Sequence, residues 1–275
     1  EAALGSGSGD GWRRTTAHLI SYRLRTDDRA HPSTWGVVEL HKRQVQLAVR
    51  KLPFSYGAER LAYWACTSKP NGGTDRWVFK AFLAPLDETA QEECERKVRE
   101  QALASHYALR LVEAASSDDA LKALRSLEYV QLSVIHIERP AEVLDETVAG
   151  SMRFFTVEQP LGGGDWKKYN RNDGTLMEEL KEHHAQVLSH YSWHASGGRV
   201  MVTDVQGMEI EGRLVLTDPA VQTFNGGRSF GPTDLGERAR NDFFSNHSCG
   251  QHCSALKLMR PPPAPSGADR ASPQP

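Results

Sequence analysis

The sequence predicts an α+β fold in two lobes, and three observations carry that prediction. Short, apolar, partly alternating segments crowd the first part of the chain. One long run without Pro or Gly then reads as a helix. After it, strands and helices mix without the regular βα alternation of a parallel sheet.

The opening "EAALGSGSGDG" is Gly/Ser-rich, and residues 1–13 read as a flexible lead-in. "WGVVEL", "VQLAVRKL", "RLAYWAC" and "RWVFKAFL" read as strands. "DETAQEECERKVREQALASHYALRLVEAA" is the long helix, with Ala104, Tyr107, Ala108, Leu111 and Val112 at helical spacing. "SSDDALKALRSL" begins with N-cap chemistry and reads as a second helix. "VQLSVIHIER" and "MRFFTVEQPL" are strands again, and "MEELKEHHAQVLSHYSWHA" is helical. "GRVMVTDVQGMEIEGRLVLTDP" reads as two strands with a turn, and Gly236 to Leu258 as one or two helices. Residues 261–275 are Pro-rich and are expected to be a disordered tail. The globular part is residues 14–260, with a strand-rich N-lobe to about 158 and a mixed C-lobe after about 165.

The chain has 275 residues, enough to bury a real core. Its 33 basic residues against 35 acidic ones give a charge of −2, so nucleic acid is not an expected partner. Four cysteines are too few for a secreted disulfide framework. No apolar run approaches the ~20 residues of a membrane span, and no signal peptide is visible. An intracellular, cytoplasmic setting is expected. Because the chain starts at Glu1, it reads as a piece of a longer polypeptide with further domains.

Several motifs carry chemistry. Lys80 stands in the apolar strand "WVFKAFL". Such a lysine ordinarily snorkels to solvent; the alternative is a lysine aimed at a phosphate. "EQPLGGGDWKKYNRNDG" reads as a surface loop or as a hinge, with Glu158 and its neighbouring backbone placed for a heterocycle. In "TDVQG" and "LTDP", Asp204, Gln206 and Asp218 sit beside turns, where Asp is ordinary turn chemistry. Asp204 and Gln206 are two apart, however, so on a strand they share a face, and such oxygen ligands suit Mg²⁺. "GGRSFGPTDLG" is Gly-rich but does not follow the strand-to-helix pattern of a phosphate loop. "HSCGQHC" places His247, Cys249 and Cys253 in the pattern H-x-C-x₃-C, dense enough to bind zinc. A fourth ligand would come from His183, His184, His190, His194 or His252.

In this order the blocks "KLPFSYGAERLAYWA", "WVFK", "EQPLGGGDWKKYNRNDG", "LSHYSWHASGGRVMVTDVQG", "LTDP", "FGPTDLG" and "FFSNHSCGQHC" resemble the alpha-kinase family of atypical Ser/Thr protein kinases, over roughly residues 35–260. The resemblance implies a two-lobed kinase-like fold stapled by zinc. It implies transfer of the γ-phosphate of ATP to a Ser/Thr hydroxyl of a protein substrate. Lys80 matches the lysine that contacts ATP phosphates, Glu158 the hinge acid at the adenine, and Lys168, Tyr169 and Asn170 the family's "KYN"; Asn172 is a weaker candidate in the same run. Asp204 and Gln206 match the Mg²⁺-binding pair and Asp218 the catalytic aspartate. His190, His247, Cys249 and Cys253 match four zinc ligands. Residues 231–236 match a segment on the peptide-substrate side. Glu59, His194, Thr233 and Asp234 depart from the family's habits without removing a catalytic group. The helix acid that would pair with Lys80 is left open between Glu100 and Gln101. Two rivals are a catalytically weak binding module of the same fold and a zinc-stapled interaction or nucleic-acid module. Retention of Lys80, Asp204, Gln206 and Asp218 weighs against the first, and the near-neutral charge against the second.

Overall fold

The computed structural model describes residues 11–57, 59–69, 71–83, 90–224 and 227–262. The lead-in up to residue 10 and the tail from residue 263 lie outside the described residues. β1 (Trp12–Arg25) starts two residues inside the expected lead-in and pairs along its length with β2 (Gly36–Arg50). β1 is absent from the strands that the sequence predicts, because its arginines and threonines, and the burial of adjacent Leu19 and Ile20, blur any two-residue alternation. "WGVVEL" and "VQLAVRKL" form one strand, not two: the register slips between Ser21 and Tyr22, leaving Leu40 as the extra residue of a bulge.

β3 (Ser55–Tyr56), β4 (Arg60–Ser68), β5 (Thr74–Phe82), α1 (Ala90–Ala115), β6 (Leu127–Tyr129), β7 (Leu132–Ile137), α2 (Glu146–Ala149) and β8 (Phe154–Glu158) follow. The first lobe is a sheet in the order β2-β1-β7-β8-β5-β4-β3. β2 also pairs with β4, from Leu47 opposite Thr67 to Val49 opposite Ala65, so the sheet closes on itself. Closure removes most of the free edge and encloses an apolar core that includes Leu47, Val49, Phe79, Phe155 and Val157.

The second lobe holds β9 (Trp166–Lys168), α3 (Gln186–Ala195), β10 (Val200–Thr203), β11 (Gln206–Ile210), β12 (Arg213–Leu216), β13 (Ala220–Thr223), α4 (Glu237–Asn246) and α5 (Gln251–Ala255). One sheet runs β6-β12-β11-β9, and β10 pairs with β13. Where the sequence reads two strands and a turn there are three strands. Asp204 takes φ 55° and turns the chain, sending β10 and β11 to different partners. β6 joins this lobe's sheet although it precedes residue 158. "SSDDALKALRSL" forms only a short 3-10 helix, Asp119–Leu124, with Asp118 capping the Ala120 N–H. The helix expected from Met177 begins at Gln186, after a 3-10 helix, Glu178–Leu180, and successive i→i+3 turns, and the Gln186 side chain donates to the Tyr169 and Leu180 carbonyls.

α1 bridges the lobes. Glu92 and Glu93 in its first turn favour the positive end of the helix dipole. Cys94 and Val98 pack into the first core, whereas Leu103, Tyr107 and Leu111 pack into the second. One rigid element thereby fixes where the lobes meet.

Candidate active site and metal cluster

On β5, Phe79 and Ala81 point into the closed sheet, so Lys80 points to the opposite face. It does not snorkel; it is 5% exposed. Its Nζ lies 2.7 Å from Glu158 Oε1 and 2.6 Å from Asp218 Oδ2. This settles the partner left open by the sequence: neither Glu100 nor Gln101 meets Lys80. Glu158 ends β8, and its second oxygen accepts from Thr217 Oγ at 2.6 Å. Its carboxylate is thus turned inward to Lys80 and Thr217. Arg60, which opens β4 on the Lys80 face, donates to the other Asp218 oxygen and to Thr156 Oγ at 3.2 Å. The sequence reading passed over Arg60. Its signal was the same as that of Lys80: a cation in an apolar strand, two residues before Ala62, the neighbour of Lys80 across the sheet.

Burial raises the Asp218 carboxyl, but Arg60 and then Lys80 outweigh it and hold the group well below the usual carboxylate range. Burial raises Glu158, with Lys80 pulling against it. Of the two acids at Lys80, Asp218 is the firmly ionised one. Asp218 also takes φ 49°, a left-handed conformation unusual for a non-glycine residue.

Beside this cluster, Gln206 Nε2 donates to Asp204 Oδ2 at 3.1 Å and to the Asp218 carbonyl at 2.9 Å. The premise that Asp204 and Gln206 share a strand face fails, since Asp204 lies at the turn before β11; the turn itself brings them together. Lys168 Nζ sits 2.7 Å from Asp204 Oδ1. Burial raises the Asp204 carboxyl and Lys168 opposes the rise. Gly207 is required here: a Cβ would stand 2.1 Å from the Val215 carbonyl oxygen. Asn170 is placed behind the site rather than in it. It is fully buried, accepts from the Val205 N–H at 3.0 Å, and donates to Gln186 and Ser189 at 2.9 and 3.1 Å. With its polar atoms engaged, it braces the 204–206 turn instead of facing a ligand. Asn172 offers its carbonyl to Gln222 and Thr203. In the Gly-rich loop, buried Asp234 accepts from the Thr223 N–H and hydroxyl at 2.9 and 2.6 Å, which fixes the loop against β13.

The second cluster gathers His190 from α3, His247 after α4, Cys249, and Cys253 on α5, with one ligand atom from each all within 4.8 Å of one another. Cys249 Sγ is 3.8 Å from His190 Nδ1, and Cys253 Sγ is 3.4 Å from His247 Nε2. Tetrahedral zinc with bonds of about 2.0–2.3 Å separates its ligand atoms by roughly 3.3–3.8 Å, a spacing that these two pairs match and that the whole set, within 4.8 Å, approaches. His190 Nε2 lies 2.8 Å from the Met259 carbonyl, the outer hydrogen bond a metal-ligating imidazole ordinarily makes. Of the other histidines, His194 accepts from the Met259 N–H, while His183 and His184 stack on each other.

Two lobes, a closed sheet above a mixed α+β half, with a lysine and two acids at their junction, make an atypical protein-kinase architecture. A family model described as the Alpha-kinase family matches residues 55–253. The chain belongs to the alpha-kinase family and is an alpha-type protein kinase domain. It is 27% identical over 229 residues to Alpha-protein kinase vwkA of Dictyostelium discoideum, covering 82% of this chain and 33% of that protein. It is 26% identical over 227 residues to Eukaryotic elongation factor 2 kinase of Mus musculus, covering 79% of this chain and 27% of that one. The chain therefore spans a third or less of these relatives. In fold it is similar to the alpha-kinase domain of Myosin Heavy Chain Kinase A solved in complex with AMP, with a TM-score of 0.67 at 19% identity, covering 90% of this chain and 99% of that one. No helix among the described residues is long and apolar enough to cross a membrane.

Proposed function

We propose that this domain transfers the γ-phosphoryl group of ATP to a serine or threonine hydroxyl of a protein. The observation that carries the reading is the convergence of Lys80, Arg60, Glu158 and Asp218 from four distant parts of the chain, beside Asp204 and Gln206. The nucleotide complex of the structural relative supports it.

Phosphoryl transfer needs positioning and charge neutralisation more than covalent help. Lys80 and Arg60 are the cations available to offset phosphate charge. Asp218 and Glu158 pair with them, so a nucleotide would compete with the site's own acids for these cations. Glu158 keeps Lys80 in place while Asp218 is released toward the acceptor. Asp218, strongly ionised, orients the acceptor hydroxyl and receives its proton late, as the bond to phosphorus forms. Asp204 offers carboxylate oxygens and Gln206 an amide oxygen, the hard donors that Mg²⁺ takes; they would hold it once the Gln206 amide, whose Nε2 donates to Asp204 and to the Asp218 carbonyl, turned its oxygen toward Asp204, and the cation would neutralise phosphate charge. Lys168, now on Asp204, would be displaced toward solvent. His190, His247, Cys249 and Cys253 would hold zinc with no open position, as a structural staple of the second lobe. The activity and targets of the longer protein follow from domains beyond this one, in an intracellular setting.

Incubation with γ-labelled ATP, Mg²⁺ and a generic basic protein tests the reading. Label recovered as phosphoserine or phosphothreonine is the expected result. Label released only as free phosphate would make the domain an ATPase, and no turnover at all would leave a nucleotide- or partner-binding module instead.

A further inference from the structure

Asp218 is held by more than its carboxylate. Its N–H donates to Gln101 Oε1 at 3.2 Å, and its carbonyl accepts from Gln206 Nε2 at 2.9 Å. Gln101 lies on α1, 2% exposed, at the point where the helix passes from one lobe to the other. Its Nε2 donates to the Val130 carbonyl at 2.6 Å. The Val130 N–H in turn donates to the Leu216 carbonyl at 2.9 Å. The Gln101 side chain therefore closes a hydrogen-bonded ring running from Leu216 through Val130 and α1 to Asp218. One residue earlier on the helix, buried Glu100 accepts from the Val221 N–H at 3.1 Å. The segment 218–221 is thus gripped from α1 at both ends.

We infer that Gln101 is a positioning residue for Asp218, holding its peptide in the left-handed conformation that aims the carboxylate at Lys80 and Arg60. The inference rests on the reading of Asp218 as the catalytic base. The residue type follows from the two partners. The Val130 carbonyl can only accept and the Asp218 N–H can only donate, so the side chain between them must do both. A neutral amide does so, whereas an ionised carboxylate would face a carbonyl. The φ of 49° at Asp218 costs energy for a residue with a Cβ, and it persists only where neighbours over-determine it. Without Gln101 the peptide loses the acceptor of its N–H, and the strain has a path to relax by turning that peptide. The carboxylate would then leave its aim with Lys80, Arg60 and Glu158 all still present. This answers, in another form, what the helix contributes to the lysine: it does not pair with Lys80, but holds the backbone of the acid that does.

The test compares Gln101→Met, Gln101→Glu and Asp218→Asn in the same domain, with turnover normalised to folded protein from melting curves. Gln101→Met should lower kcat about 10- to 100-fold, the scale of a misaimed reacting group, with KM for ATP changed less than about threefold. Gln101→Glu restores an acceptor for the Asp218 N–H and should recover part of that loss. A kcat per folded molecule equal to wild type in Gln101→Met overturns the inference. So do equal losses in the Met and Glu variants, which would assign the effect to Val130 alone. Asp218→Asn separates the two readings. If it remains active, the catalytic assignment of Asp218 fails, and the inference with it. If it is inactive while Gln101→Met is fully active, only the inference fails.

Discussion

The cluster at the lobe junction joins side chains from separate strands and loops, whereas the His/Cys cluster joins one distant histidine to three ligands within seven residues, and the two are built on opposite electrostatic logic. At the junction every charge has an opposite partner: Lys80 faces two acids, and Arg60 shares one of them. At the other cluster the ligands work against one another's charged forms. Burial and then the neighbouring His190 push the His247 imidazole down to about 4. Burial and then Cys249 push the Cys253 thiol up to about 12. A self-compensating cluster is stable without its ligand and has to be opened by it. A cluster of mutually opposed ligands is stabilised only by the cation that fits it.

Removal of the cation should therefore separate the two regions most sharply. Cys249→Ala, or prolonged chelation, should abolish stoichiometric zinc by elemental analysis. The second lobe should lose cooperative unfolding, since structural zinc contributes roughly 10 kcal/mol or more in small sites. A well-folded, active Cys249→Ala protein would mean that this cluster is not a structural metal site.

The next effect is smaller and falls on the junction. The sequence alone suggests that Lys80→Ala leaves the fold untouched, as for a partly exposed strand lysine. The structure changes that expectation, because the substitution leaves Glu158 buried without its cation. Turnover should fall by about three orders of magnitude. Stability should also fall, by about 3 kcal/mol in denaturant unfolding, as when one partner of a buried pair is removed. Unchanged stability would show that Glu158 takes up a proton and shields the fold.

The smallest effect concerns His183, which packs tilted against Tyr169 and accepts the Ala185 N–H at 3.2 Å on Nδ1. Burial, with the adjacent His184, lowers its imidazole to about 4. A histidine lowered in the folded state binds its proton more readily when unfolded. Its stabilisation is complete above its ordinary pKa of about 6.5 and is lost as pH falls toward about 4. His183→Phe should flatten the dependence of Tm on pH in that window by about 2–4 °C. At the junction, Asp218, ionised well below this range, should add no slope of its own there in kcat.

Much of this was legible in the chain. The order of short motifs pointed to the family, and H-x-C-x₃-C pointed to the His/Cys cluster that the fold gathers, because local spacing keeps three soft ligands together. The apolar periodicity of α1 gave its length and its buried face. Strand β1 was not legible, because its arginines and threonines, and the burial of adjacent Leu19 and Ile20, blur any alternation. The turn at Asp204 was not legible either, since a positive φ at a non-glycine residue leaves no mark in composition.

By itself the sequence determined which groups exist and which faces of each element could be buried, since periodicity and backbone chemistry are local. Tertiary structure alone decided who meets whom. It paired Lys80 with Glu158 rather than with the helix, turned Gln101 onto the Asp218 peptide, brought Arg60 into the junction and put Asn170 behind it. Each outcome depends on the register of strands far apart in the chain and on one helix packed across two cores. Side-chain encounters of that kind are fixed only once the whole fold has closed.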